Sequence, residues 1–264
     1  AIGSRVQKLA EDFGLVRVRV QTFHSFCCSL LKRTHGQMKM GKAKRLPKDL
    51  LRQPEDRDQR YNSLLIDYYS DLLASEPAAG IRRRDHAKKI EDYESILNAI
   101  RNGHPQLRAP VTRPQELDEA PDMLFVPNQD GCSLPTEAVK RVFSAYFKLL
   151  EKHQLTDYAG MVSEVLHLLR HNEDLRQRLQ SKISHLLVDE YQDTSRAQEE
   201  IMRLLVGENT GLTVVGDSDQ TIYTFNGSDV SNILEFKERN QKLWPNRQTN
   251  IVNLEENFRS TPRI

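Results

Sequence analysis

Leu186-Leu187-Val188-Asp189-Glu190-Tyr191-Gln192-Asp193-Thr194 is the stretch that decides the fold. A mainly apolar run, Ile183 to Val188, stops abruptly at two adjacent carboxylates. A buried parallel strand delivers acids in this way to the ligand-bearing edge of an open α/β sheet, where the strand's carboxyl end meets solvent. One carboxylate can hold Mg²⁺ through water, and the next can orient and deprotonate an attacking water. An isolated Asp-Glu pair reads equally well as a strand ending in a solvated acidic turn, so the neighbouring blocks must decide.

Three further blocks do so. Leu212-Thr213-Val214-Val215-Gly216-Asp217-Ser218-Asp219-Gln220-Thr221-Ile222-Tyr223 is a second apolar run ending in a polar turn. Leu254-Glu255-Glu256-Asn257-Phe258-Arg259-Ser260-Thr261 follows it. Upstream, after the alternating run Val16 to Val20, comes Gln21-Thr22-Phe23-His24-Ser25-Phe26. In this order the four blocks resemble motifs of the UvrD/Rep-like branch of superfamily 1 DNA helicases. DEYQDT resembles the Walker B motif II, VVGDSDQTIY motif III, LEENFRST motif IV and TFHS motif Ib. Leu155-Thr156-Asp157-Tyr158 falls where that family carries a short Asp-aromatic motif. Ordered motifs in matching strand–turn context carry weight that a single motif does not.

The phosphate-cradling loop of that family is not in the sequence. No G-x-x-x-x-G-K-[ST] occurs, and the single Gly-Lys pair, Gly41-Lys42, is followed by Ala43. The chain opens on Ala1 and closes on Ile264 just after a motif. The resemblance implies a Walker A loop just upstream and a second motor domain downstream. The expectation is therefore a fragment of a longer protein, inactive alone as an ATPase or helicase.

Composition bounds the class. With 264 residues, 38% hydrophobic and 28% charged, at mean hydropathy −0.62, the chain reads as globular with a polar surface. No apolar run approaches the roughly 20 residues that span a bilayer. Net charge is +1, so bulk electrostatics do not call for nucleic acid. The cluster Lys32, Arg33, Lys39, Lys42, Lys44, Arg45, Lys48 and Arg52 is consistent with phosphate binding, an import signal or a solvated loop. Three cysteines, Cys27, Cys28 and Cys132, without regular spacing argue against a disulfide framework and for a reducing, intracellular compartment. That would be the nucleus in a eukaryote and the cytoplasm in a bacterium.

Periodicity places the elements. Val16 to Val20 reads as a strand and Phe26 to Lys32 as the following helix. Residues 33–57 read as a basic loop. Helical spacing recurs over Tyr61 to Leu73, Asp85 to Ile100 and Thr136 to Lys152. Gly103 to Gly131, with five prolines, cannot be one helix and is expected to be exposed. The resemblance implies an α/β fold: a RecA-like parallel-sheet P-loop NTPase domain (1A, partial; residues 1–32 and 153–264) interrupted by an α-helical subdomain (1B; residues 33–152).

The resemblance also assigns roles. Asp189 would be the Mg²⁺-side carboxylate and Glu190 the catalytic base. Gln192 and Asp193 would link the nucleotide edge to neighbouring motifs, or cap the next helix as Thr194 or Ser195 could. Gln220 would sense the γ-phosphate, with Asp217 and Asp219 supporting it or shaping the turn. Phe258 would stack on adenine and Arg259 would reach the γ-phosphate, with Asn257 holding the loop. Thr22, Phe23 and His24 would meet the DNA backbone, which takes half or more of protein–DNA hydrogen bonds. Tyr223 and Phe225 are suited to stacking on unpaired bases. The family commonly has Trp-Arg-Gly where this chain has Phe225-Asn226-Gly227. Phe225 offers less stacking area and Asn226 no charge, which points to weaker DNA affinity there. Asp157 and Tyr158 either line the DNA face or start the helix through Met161, Val165 and Leu169, with the structural role ranked first. The implied activity is ATP-dependent, 3′→5′ translocation on single-stranded DNA in repair or recombination. ATP and Mg²⁺ would be cofactors, single-stranded or duplex DNA the partner, and no membrane is involved. Two alternatives are a non-catalytic nucleic-acid-binding scaffold that has lost the P-loop and a helicase–nuclease subunit. A nuclease would need its own carboxylate cluster, and none is evident.

Overall fold

The computed structural model describes residues 18–37, 83–127, 131–153, 156–220, 231–254 and 256. The expected helix at 61–73, most of the basic loop, and Tyr223, Phe225, Asn226, Asn257, Phe258 and Arg259 lie outside the described residues. The described chain is mixed α/β. Its helices are α1 (Phe23–Gln37), α2 (Arg83–Asn102), α3 (Thr136–His153), α4 (Tyr158–His171), α5 (Glu173–Gln180), α6 (Arg196–Leu205), α7 (Ser231–Leu234) and α8 (Phe236–Leu243). A small antiparallel hairpin joins β1 (Met123–Phe125) to β2 (Ser133–Pro135). β3 (His185–Val188) and β4 (Gly211–Val214) pair in parallel, with His185 opposite Gly211 and Val188 opposite Val214.

Two apolar clusters organise the helices. In one, Ile96, Leu97 and Ile100 of α2 face Val139, Val142 and Phe143 of α3, at the i, i+3, i+4 spacing that lays one stripe along a helix. In the other, Cys27, Leu30 and Leu31 of α1 meet Val165, Leu166 and Leu169 of α4 and Ile201 and Leu205 of α6. Each such side chain contributes about 1.5–3 kcal/mol on burial. Ser195 starts α6 with a full capping box, its hydroxyl accepting from Gln198 N while the Gln198 side chain accepts from Ser195 N. Capping thus falls to Ser195 and not to Gln192, Asp193 or Thr194.

Two expectations need correction. The proline-rich stretch after α2 is not an exposed loop: Leu107, Val111, Leu117 and Leu124 are buried in the first cluster. Proline forbids a helix but not burial, and the 3₁₀ turn Pro114–Leu117 carries two of its residues inside. Nor is β3 buried on both faces. Leu187 is 68% exposed, and Val215, just past β4, is also exposed. Parallel sheets normally have both faces covered, whereas here Leu186 and Val188 are partly buried and His185 and Leu187 are exposed among the described residues.

A seam of arginines joins the clusters. Arg113 pairs with Glu164 at 2.8 Å, and Arg170 with Glu200 at 2.7 Å while donating to Pro110 O at 3.0 Å. The Arg196 guanidinium donates to the carbonyls of Leu107 at 3.1 Å and Arg108 at 2.9 Å. Gly103 has φ 119°, a conformation open to glycine, and a Cβ there would lie 2.5 Å from Arg196 Cβ. The seam can form because the chain turns at a residue without a side chain.

His104 lies wholly buried beside this turn. Its Nε2 bonds Phe125 O at 2.9 Å and its Nδ1 accepts from Gln106 N at 3.2 Å, an arrangement that fits the neutral ring. Burial lowers its pKa, outweighing the Phe125 carbonyl. A histidine so shifted leaves stability intact above its unfolded value of 6.5 and erodes it as pH falls from there through the folded value. Urea midpoints taken between pH 7.5 and 5 should therefore fall in wild type and fall less in His104→Gln, with the remainder due to His24 and His167, whose pKa burial also lowers.

All three cysteines are free thiols. Burial pushes the Cys27 thiol up to about 12, the state of a packing residue and not a ligand. No described helix is long and apolar enough to cross a membrane.

Candidate functional site

β3 delivers Asp189 and Glu190 to the carboxyl edge of the sheet, both exposed. Glu190 has φ 50° and ψ 46°, the left-handed region, and is the one non-glycine among the described residues with positive φ. Such a conformation costs on the order of 1–3 kcal/mol and persists where its surroundings over-determine it. Those surroundings are evident. Tyr191, buried next door, donates its N–H to Val215 O at 2.9 Å, and Val215 N donates to Val188 O at 2.8 Å. The chain is thus stitched to the end of β4 on one side of Glu190. On the other side the 3₁₀ turn Tyr191–Asp193 closes through Asp193 N to Glu190 O at 2.9 Å. Asp189 Oδ1 accepts from Glu190 N at 3.1 Å.

From Glu190 a line of hydrogen bonds runs across the sheet edge. Gln192, 1% exposed, donates from Nε2 to Glu190 Oε2 at 2.8 Å and accepts on Oε1 from Asp217 N at 3.1 Å. Asp217 Oδ2 accepts from Gln220 Nε2 at 2.7 Å, and Asp217 Oδ1 from Asp219 N at 3.0 Å. The two strand ends are therefore joined through Glu190, Gln192, Asp217 and Gln220. Asp217, read from the sequence as either support or turn-former, does both. Gly216 permits the approach: a Cβ there would overlap Gln192 Oε1 and lie 2.9 Å from Ile233 Cδ1. Gln220 itself sits in a 3₁₀ turn beyond the strand and not at its last residue.

Asp193 has a buried Oδ1 with no hydrogen-bond partner. Burial first, and then the Glu190 charge, hold its carboxyl above the usual range. No group of three or more His, Cys, Asp or Glu among the described residues could hold a metal by itself. Asp189 and Glu190 are hard oxygen donors, and they fit a cation such as Mg²⁺ that takes one or two carboxylates and completes its shell from phosphates and water.

The upstream block lies at the start of α1. Thr22 is exposed and caps the helix, accepting from Ser25 N at 3.2 Å and donating to Ser25 Oγ at 2.9 Å. Phe23, expected at DNA, is partly buried against the second cluster. His24 is half-buried, and burial lowers its pKa, so it offers a neutral hydrogen-bonding ring at pH 7. Its ring stands perpendicular to that of Tyr158 at 5.2 Å between centroids.

Asp157 takes the structural role ranked first from the sequence. Asp157 caps α4, accepting from Gly160 N at 2.6 Å, and it also accepts from Arg101 at 2.8 Å and Tyr146 Oη at 2.7 Å. Burial pushes its pKa up, but the Arg101 charge and the hydrogen bonds from Arg101, Tyr146 and Gly160 outweigh that and hold it below the usual carboxylate range. Tyr158 is 72% exposed. The sequence signal that could have singled it out is an aromatic at the first position of a capped helix, where packing does not demand one.

Several DNA helicases are similar to this chain in sequence. A PcrA ATP-dependent DNA helicase from Staphylococcus aureus (strain Mu50 / ATCC 700699) is 28% identical over 260 residues, 98% of this chain and 30% of that protein. PcrA of Bacillus subtilis (strain 168) is 29% identical over 245 residues, 93% of this chain and 28% of that protein. The ATP-dependent DNA helicase Rep of Buchnera aphidicola is 39% identical over 123 residues, 47% of this chain and 18% of that protein. The chain thus spans 30% or less of the length of these relatives. All three are bacterial, which lends no support to a nuclear location. The model of the UvrD/REP helicase N-terminal domain matches residues 1–241, so this chain belongs to that family.

Proposed function

We propose that this chain is the N-terminal motor part of an ATP-dependent DNA helicase that couples ATP hydrolysis to 3′→5′ movement on single-stranded DNA in repair or recombination. The observation that carries this reading is the bonded line from Glu190 through Gln192 and Asp217 to Gln220. It ties the acid best placed to activate water to an amide able to feel a terminal phosphate. Such a line is a physical route between the two ends, which coupling requires.

In this reading Asp189 would hold Mg²⁺, and Glu190 orients the attacking water and takes its proton. When bound, Mg²⁺ would supply neutralisation of the charge on the phosphate. The left-handed backbone at Glu190 supports catalysis over a scaffold role, since strain in an exposed acid has no evident use in holding the fold. The division into a motor domain, residues 1–32 and 153–264, and a helical insertion, residues 33–152, is supported by the two separate apolar clusters.

DNA would cross the start of α1 and α4. Thr22 and His24 suit backbone phosphates, and Tyr158 suits stacking on an unpaired base, with its ring exposed and its edge steadied by His24. ATP turnover by the parent protein, titrated with single-stranded DNA, tests the reading. Tyr158→Ala should raise the DNA concentration for half-maximal stimulation by about 5- to 150-fold, the equivalent of one lost base stack. Turnover indifferent to DNA would sink the proposal.

A further inference from the structure

Behind the Glu190 turn lies a buried polar network that the reading above leaves without a task. Glu199, on α6, is 6% exposed. Its Oε1 accepts from Tyr191 Oη at 3.2 Å and from Arg203 at 2.6 Å, and its Oε2 accepts from Arg239 at 3.2 Å. Arg239, on α8, also donates to Asn232 Oδ1 at 2.9 Å and Ser231 Oγ at 2.7 Å. Asn232, wholly buried on α7, donates in turn to Thr194 O at 3.0 Å. Thr194 Oγ1 returns to Tyr191 O at 2.7 Å. The bonds form a closed loop from Tyr191 through Glu199, Arg239, Asn232 and Thr194 back to Tyr191.

We propose that Glu199 is a positioning residue that locks the turn at residues 190–194 to the α7–α8 pair through Tyr191 on one side and Arg239 on the other. The proposal rests on the helicase reading for its purpose but not for its geometry. Ser231 and Asn232 open the described chain directly after the segment that carries Tyr223 and Phe225 in sequence. A lock here fixes where the segment after Gln220 returns, relative to the residues that would activate water.

Three features support a positioning role over simple packing. A buried carboxylate is costly unless every oxygen is satisfied, and an apolar residue would hold α6 at least as well. Both Glu199 oxygens are used, and they bond three different elements of the chain. The Arg239 guanidinium is a rigid fork, so it fixes direction as well as distance between α6 and α7.

The test uses the full-length parent. Glu199→Gln keeps the shape and removes the charge. Amide exchange at 190–194 and at 231–243 should both rise by about 10-fold or more, the scale of a lost hydrogen bond to a charged group, while α1 stays at wild-type rates. DNA-stimulated turnover should fall about 10-fold, with KM for ATP within about 2-fold. Arg203→Gln removes a partner that lies on α6 itself and should leave 231–243 unchanged. Arg239→Lys keeps the charge but loses the fork, and it should reproduce the paired rise even if Glu199→Gln does not fold. Unchanged exchange in both segments, or a uniform rise that includes α1, overturns the proposal. Absence of any DNA stimulation in wild type sinks the helicase reading instead, and the exchange result still decides on Glu199.

Discussion

Glu190→Gln in the parent protein is expected to lower DNA-stimulated ATP turnover by about 10²- to 10⁴-fold, the range for loss of a general base. The amide keeps the size of the side chain and can still accept from Gln192 Nε2 at the position now 2.8 Å away, so the line to Gln220 survives. What it loses is the capacity to take a proton. ATP affinity should therefore change far less than turnover. Glu190→Gly separates the two roles of the residue. It also lacks the base and relieves the backbone at φ 50°, but it leaves Gln192 Nε2 without its acceptor, so it melts higher only where the strain exceeds the cost of that lost bond, about 1–3 kcal/mol. Two variants equally dead in catalysis, with only one melting higher, would identify the strain as a cost borne for function. A Glu190→Gln protein that turns over ATP within tenfold of wild type would remove Glu190 from the chemistry.

The second large effect is on stability. Asp157→Ala should cost about 3–5 kcal/mol, the scale for removing one partner of a buried ion pair. The Asp157 side chain is 16% exposed and that of Arg101 5%, so water compensates little. The same change removes the cap of α4, itself worth about 1 kcal/mol and included in that range. The pH dependence gives an independent check. A carboxyl whose folded pKa lies below its unfolded value of 3.8 contributes stability that is full above 3.8 and lost as pH falls through the folded value. Wild type and Asp157→Ala should thus converge in unfolding free energy at the acid end of that window. A cost under about 1 kcal/mol at pH 7 would place the pair among solvent-screened bridges.

Much of this was legible in the chain itself. Leu186 to Val188 and Leu212 to Val214 announce two strands through β-branched and apolar runs, and both end where the acids and Gln220 follow. The helices from Asp85, Thr136 and Met161 were legible because a 3.6-residue stripe leaves a periodic mark. The conformation of Glu190 was not, because no residue type signals a left-handed acid; it follows from Tyr191 being held by Val215 across the sheet. The burial of Leu107 to Leu124 was missed because proline reports on backbone, not on depth. Glu199 was invisible for a related reason. On a helix a charged residue reads as solvent-facing, and only tertiary structure brings Tyr191 and Arg239 to it. Phe23 shows the converse, a motif residue whose ring is used partly for packing.

The arginine seam between the two clusters has a mechanical meaning. An apolar seam slides, because dispersion forces do not care about direction. Guanidinium forks on fixed carbonyls and carboxylates do care, and a small rotation breaks several at once. Arg113, Arg170 and Arg196 therefore make a stiff joint, closer to a keyed shaft than to a greased bearing. Guanidinium ions in solution, competing for the same carboxylates and carbonyls, would turn the key and the shaft loose from each other.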